Sequence, residues 1–282
     1  MTSRGEEGYA LVAAVASIAV FAAMALALVS AGHLHVADAA AEQDQMQASA
    51  AADAGIALAL GHLLAGGMTQ RWSIDGRERR ISFGTAQLRI RIEDERGKIP
   101  VSRLNEKLAT RLLEEIGLSG DRLLVARDSL LDWTDSDNDP RPFGAEAVYY
   151  APFGIEPPNG FLSSVDELRS IRGFDADMVE RLRPIITSYT ALGSFDPRYA
   201  NPRALAIMED AGDKNGPVSI DRERELAGQQ TALAFSDAEE ITGRPLTIMV
   251  EAVLPDGGRS VRRAVVELTG AADRPYIVRA AE

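Results

Sequence analysis

Residues Tyr9 to Ala31 form a run of twenty-three positions without a single charge, rich in Ala, Val and Leu. At about 1.5 Å per residue, a helix of that length crosses the hydrocarbon core of a bilayer, and a soluble core helix needs nothing so long. The helical composition then continues through Asp38, Glu42 and Asp44 to about Leu64. The apolar run therefore reads as the first half of one long helix. From His33 onward the pattern turns amphipathic, with Ile56, Leu60, Leu63 and Leu64 at helical spacing and Asp44, Gln47 and Asp53 at polar positions. One face of this second half is expected to pack on a globular domain.

The flanks decide what kind of N-terminus this is. A secretory signal peptide has a basic leader and an apolar core of roughly 7–15 residues followed by a small-residue cleavage site. Here Arg4 is the only basic residue before a longer run, and Glu6, Glu7 and Gly8 precede Tyr9 directly. A short polar leader ending in glycine, then an aromatic residue opening an apolar helix, resembles a type IV prepilin-like leader. That resemblance implies a prepilin peptidase as partner, cleavage between Gly8 and Tyr9, and a mature protein that keeps its helix. Single-pass anchoring in the inner membrane follows, with the C-terminal bulk in the periplasm.

Thirty Lys and Arg against forty-two Asp and Glu give a formal charge of −12, and no Lys/Arg run is segregated from the rest. Such a surface repels phosphate backbones, so no nucleic-acid partner is expected. The chain has no cysteine, so no disulfide staples its 282 residues. Extra stabilisation has to come from burial or from a bound ion.

After Gly66 and Gly67 the period falls to two. Trp72–Ile74, Arg80–Phe83 and Gln87–Glu93 read as strands, with Leu88, Ile90 and Ile92 alternating with Arg89 and Arg91. A sheet covered on one face follows. Beyond Pro100 the period becomes helical: Val101–Ile116, Gly120–Trp133, Ser163–Ile171 and Asp175–Thr187 are helix candidates, the last two joined by a helix-hairpin-helix-like turn at Arg172-Gly-Phe-Asp175. Asn201-Pro202 opens a short capped helix. Strand periodicity returns in Leu246–Leu254, Arg259–Leu268 and Pro275–Val278, the first two joined by Pro255-Asp-Gly-Gly258 as a hairpin. Strands at about 72–93 and 245–279 thus flank a helical block, and sequence-distant strands are expected to complete one sheet.

Several stretches together resemble the type II secretion system protein K family, also called general secretion pathway protein K, a minor pseudopilin. They are Gly8-Tyr-Ala-Leu-Val12, Glu93-Asp-Glu-Arg-Gly-Lys-Ile-Pro-Val-Ser-Arg-Leu-Asn105, Leu131-Asp-Trp-Thr-Asp-Ser-Asp137, Gly144-Ala-Glu146 with Tyr149-Tyr150, and Ser164-Val-Asp-Glu-Leu-Arg169 with Arg172-Gly-Phe174. The leader departs from the family's basic pattern at Glu6 and Glu7. The resemblance implies an α+β, pilin-like fold: a long N-terminal transmembrane helix packed on an antiparallel sheet, with a large inserted α-helical domain. The organisation expected is a leader at 1–8, a transmembrane helix at 9–31, the amphipathic half-helix and first strands at 32–99, the inserted domain at 100–190, and the remaining helical region and strands at 191–282. It further implies a place at the tip of a periplasmic pseudopilus, where the subunit initiates assembly with other minor pseudopilins and the major pseudopilin, for export of folded proteins across the outer membrane. In related major pseudopilins a glutamate stands fifth in the mature chain; counted from Tyr9, the fifth residue here is Ala13.

One acidic stretch offers a site. Asp135, Asp137 and Asp139 occupy positions one, three and five of a calcium-loop pattern and Glu146 falls at position twelve, but Pro140 stands where an EF-hand requires glycine. Asp132, one helical turn earlier, adds a further oxygen. The spacing alone leaves two readings, a hard-cation site or a solvated acidic loop; the family resemblance implies calcium, with Asp132, Asp135, Asp137 and Glu146 as metal residues. His33, His35 and His62 have no partners at zinc spacing and read as ordinary polar residues. Ser164 with Glu167 reads as a capping box, and no catalytic residues are expected: the chain is not read as an enzyme. Two rival functions share features with this reading. A minor pilin of a type IV pilus would share the leader and long helix without needing the helical insertion. A membrane-anchored DNA receptor would use the helix-hairpin-helix pair but require a basic stripe.

Overall fold

The structure, a computed structural model, describes residues 41–65, 71–189, 195–210 and 241–282, together with Phe21 and Met24. The Gly8–Tyr9 bond, Ala13, His33 and His35 lie outside the described residues. So does the expected membrane helix, apart from Phe21 and Met24, which are helical and exposed. Among the described residues no helix is long and apolar enough to cross a membrane.

Helix α1 (residues 41–64) lies on a five-stranded antiparallel sheet in the order β1-β2-β5-β6-β7. The strands are β1 (Arg79–Phe83), β2 (Ala86–Asp94), β5 (Pro245–Val253), β6 (Arg259–Leu268) and β7 (Tyr276–Ala281). As the alternation requires, Leu88, Ile90 and Ile92 of β2 are fully buried, while Arg89 and Arg91 face solvent. β2 pairs with β5 from Gln87↔Val253 to Asp94↔Leu246, so strands some 160 residues apart in sequence are neighbours in one sheet. The hairpin after β5 closes with Gly257 at φ 99, a left-handed conformation that glycine adopts without steric cost.

The buried stripe of α1 consists of small residues, Ala48, Ala51, Ala52, Gly55 and Ala59, ending in Leu60 and Leu63. A Cβ at Gly55 would come within 2.6 Å of Val250 Cγ1. The helix is seated close to the sheet because its contact face lacks bulk. Leu64, expected on that face, is 39% exposed.

Between β2 and β5 stand the helices α2 (Glu106–Glu115), α3 (Gly120–Thr134), α4 (Ala147–Tyr150), α5 (Ala176–Leu182) and α6 (Pro202–Asp210), with the two-residue strands β3 (Ile99–Pro100) and β4 (Ile186–Thr187) pairing in parallel. They bury a second core that includes Leu112, Leu113, Leu130, Trp133, Tyr150, Leu168, Ile171 and Leu182. Side-chain caps start three of the helices: Asn105 accepts from Leu108 N at 2.9 Å, Asp175 from Met178 N at 2.8 Å, and Asn201 from Ala204 N at 2.9 Å.

Three expectations need correction. Trp72–Ile74 is not a strand. Only Asp75 bridges to Glu93, and Trp72 instead stacks on His62 with ring centroids 4.2 Å apart. The helix expected from Val101 begins only at Glu106, after a 3-10 turn at Val101–Arg103, because Asn105 supplies the cap. The pair expected at Ser163–Ile171 and Asp175–Thr187 is a 3-10 helix at Val165–Ser170 followed by α5, which stops at Leu182. Pro184 cannot continue a helix, and the chain after it pairs with β3. The turn between them does carry its glycine for two reasons. Gly173 has φ 91, and a Cβ there would come within 3.0 Å of the Ala126 backbone in α3.

Candidate metal centre

The acidic loop runs from the C-terminus of α3 to the N-terminus of α4. It brings together three of the four expected carboxylates: oxygens of Asp135, Asp137 and Glu146 lie within 4.8 Å of one another. Glu146, at the N-cap of α4, is only 3% exposed, and neither of its carboxylate oxygens has a hydrogen-bond partner. Asp135 Oδ1 is likewise buried without a partner. Buried polar atoms are almost always satisfied, and ionised carboxylates the more so. Burial, and then the neighbouring Asp132, Asp135 and Asp137, push the Glu146 carboxyl up to about 7. This donor set, oxygen-only and mixed between buried and exposed, fits a hard divalent cation.

Asp132 stands apart from that group. It is fully buried and turned toward Arg141, whose Nη1 donates to Asp132 Oδ1 at 2.5 Å and whose backbone N–H donates to Oδ2 at 3.1 Å. The same Nη1 donates to Asp135 Oδ2 at 2.6 Å. Gly144 closes over this arrangement, and a Cβ there would fall 1.8 Å from Asp132 Oδ2. Asp137 Oδ1 accepts from the Asp139 N–H at 2.9 Å, an Asx-type turn that shapes the loop tip. Asp139 itself is exposed.

Two participants were missed by spacing. Arg141 is one. Asn159 is the other: held at φ 43, it donates through Nδ2 to the Asp137 carbonyl at 2.6 Å, and its Oδ1 is buried without a partner. A neutral amide oxygen beside carboxylates suits a hard cation, and the left-handed tolerance of Asn was its only sequence signal.

The capping box is partly formed. Ser164 Oγ accepts from Glu167 N at 3.3 Å, but the Glu167 carboxylate reaches the Ser163 N–H at 2.8 Å and the Trp133 indole N–H at 2.7 Å. Glu167 therefore ties the buried Trp133, adjacent to Asp132, to the segment beyond the loop. Tyr150 packs edge-on against Trp133 and accepts from the Arg172 N–H at 3.1 Å. The Arg172 side chain donates to the Gly144 carbonyl at 3.0 Å. The loop thus rests on a rigid floor.

The model of the type II secretion system protein K family matches residues 91–191, a span that contains the whole loop and most of its supports. Curated relatives of that name match over limited stretches. The protein from Dickeya chrysanthemi is 41% identical over 145 residues, 49% of this chain and 36% of the relative. The protein from Klebsiella pneumoniae is 31% identical over 134 residues, 42% of this chain and 40% of the relative. Across the curated relatives the matched stretches span 24% to 40% of the relative's length. A chain in the crystal structure of the GspK-GspI-GspJ complex from the enterotoxigenic Escherichia coli type 2 secretion system shares the fold with a TM-score of 0.55, covering 86% of this chain and 97% of that one at 14% identity.

Proposed function

We propose that this chain is a minor pseudopilin of a type II protein secretion system, held in the inner membrane by a single helix at 9–31 with its C-terminal part in the periplasm. The observation that carries the reading is the protein K domain at 91–191, standing between two halves of one antiparallel sheet that rests on α1. A minor pilin of a type IV pilus has no need of that helical block, so its presence favours the secretion reading. On this reading the subunit performs no reaction. It docks with other minor pseudopilins, starts the pseudopilus at its tip above the major pseudopilin, and so serves export of folded proteins across the outer membrane. Ala13 supports the tip position: a buried carboxylate is costly unless paired, and this chain carries none at the fifth residue after Gly8 that would demand a partner above it.

The loop belongs to the same proposal as a calcium site held by Asp135, Asp137 and Glu146, with Asn159 beside them. The ion supplies the positive charge that the orphaned oxygens of Asp135 and Glu146 lack. Asp132 acts behind these residues, through Arg141.

Co-expression with the neighbouring genes tests the assignment. The membrane form is expected to begin at Tyr9 and to pull down other minor pseudopilins. An N-terminus beyond Ala31, or DNA retained at moderate salt in place of those partners, sinks it.

A further inference from the structure

We propose that Arg141 is a built-in counter-cation of the carboxylate loop, assembling it when no metal is bound and competing with a divalent cation for Asp135. The proposal rests on the calcium reading of the loop and adds to it the residue that sets the affinity.

The geometry singles out one atom. Arg141 Nη1 sits between Asp132 Oδ1 at 2.5 Å and Asp135 Oδ2 at 2.6 Å, so a single positive charge joins the walled-in aspartate to one of the clustered ones. Asp135 is shared: Oδ2 lies on the guanidinium, Oδ1 has no partner, and the same carboxylate belongs to the group with Asp137 and Glu146. Arg141 is partly exposed, whereas Asp132 is fully buried.

Two consequences follow from electrostatics at this range. A divalent cation brought to Asp135 meets the guanidinium on the other side of the same carboxylate, and like charges so close repel even where water partly screens them. Removing Arg141 also leaves the Asp132 carboxylate buried and uncompensated, which a divalent cation can relieve. Arg141 therefore stabilises the metal-free loop more than the loaded one, and by linkage it lowers the affinity for the ion. The same contact keeps Asp132 from acting as a ligand, although its spacing suits the role.

The test uses the 282-residue chain, calcium titrated by calorimetry, and melting in chelator and in saturating calcium. Arg141→Gln is expected to bind calcium about tenfold more tightly while melting lower in chelator, and saturating calcium should close most of that gap. Arg141→Lys keeps the charge and should bind calcium as the parent does. A residue that merely braces the fold would lower both melting temperatures alike and leave the dissociation constant unchanged; that result, or weaker binding in Arg141→Gln, overturns the proposal. Should Arg141→Gln fail to fold in chelator, its refolding as calcium is added reads the same competition, and failure to refold counts against it. If the parent chain binds no calcium, the calcium reading itself falls and takes this one with it; calcium binding by the parent with no change in Arg141→Gln removes only the role of Arg141.

Discussion

Two groups of acids, each with buried members, sit some forty residues apart in sequence and are treated in opposite ways. At the junction of the two cores, Asp94 and Glu95 are 2% exposed, and each has its own cation. Arg96 reaches Asp94 at 3.0 Å and Arg244 reaches it at 3.5 Å, while Lys98, itself buried, pairs with Glu95, which also accepts from Thr247 Oγ1 at 2.5 Å. Burial pulls the Lys98 ammonium down, but Glu95 and Glu93 outweigh it and hold its pKa above the usual lysine value. In the loop, Asp132 and Asp135 share one arginine, and three buried carboxylate oxygens, one of Asp135 and both of Glu146, have no hydrogen-bond partner. The junction is charge-balanced from within the chain; the loop is balanced only if something joins it. Carboxylates of the same chemical type therefore form a structural rivet in one place and, on the reading proposed above, a cation site in the other, and partner count is what distinguishes them.

The junction should be the costlier to break. Lys98→Met leaves Glu95 and Thr247 facing each other with an uncompensated buried charge, a change of about 3–5 kcal/mol in unfolding free energy. Denaturant unfolding of the 282-residue chain reads it, and calcium should not restore the loss. Lys98→Met combined with Glu95→Leu removes both charges and should recover most of the stability. A single variant as stable as the parent would dissolve the distinction between the two groups.

The loop should respond to what surrounds the protein. An ion that binds only the folded state at a hundred times its dissociation constant stabilises it by about 2.7 kcal/mol, so chelation should lower the melting temperature by several degrees. Asp137→Ala should melt at the same temperature with and without chelator. Lys98→Met, by contrast, should keep the full chelator response. Identical parent curves in calcium and chelator would make the loop an ordinary acidic surface.

The elements that frame the two groups are legible in the sequence, and the limits of that reading have physical causes. The alternation of Leu88, Ile90 and Ile92 gave the face of the sheet, and Asn105, Asp175 and Asn201 gave three helix starts, because period and caps are local properties. Asp135, Asp137 and Glu146 were also legible, since the loop that joins them is short enough for spacing to act as geometry. Of the large apolar residues that carry the periodic signal in α1, Leu60 and Leu63 are buried and Ile56 packs against the same core, whereas Leu64 turns outward, and the close approach at Gly55 demands the lack of a side chain, which periodicity does not register. Trp72 looked like a strand residue until the His62 ring claimed it. The role of Arg141 could not be read from spacing. Whether an arginine six residues past Asp135 turns back onto it depends on how Pro140 and Gly144 fold the loop, and that is a tertiary fact.

The smallest of the expected effects is also the most particular to the loop, and it lies in the pH dependence. In chelator, Glu146 titrates at about 7 in the folded chain, raised from an ordinary value of 4.5 by burial and by Asp132, Asp135 and Asp137. Between these two values the folded state holds a proton that the unfolded state has released. Stability contributed by this group is therefore present near pH 4.5, falls as pH rises through the window, and is gone above about 7.5. The partly exposed sides of Asp135 and Arg141 admit water to the site, so the loss should be about 1–2 kcal/mol, below the full linkage value. Calcium reverses the sign of the dependence, since it binds the ionised carboxylate and competes with the proton. The gap between the loaded and chelated melting curves should then widen from pH 5 to pH 7.5. Glu146→Gln, which cannot ionise, should flatten the chelated curve across that window and leave the junction, with Lys98 and Glu95, untouched. Parallel curves for parent and Glu146→Gln in chelator would mean that Glu146 finds a partner in solution, and the loop would then join the junction as a second self-balanced group.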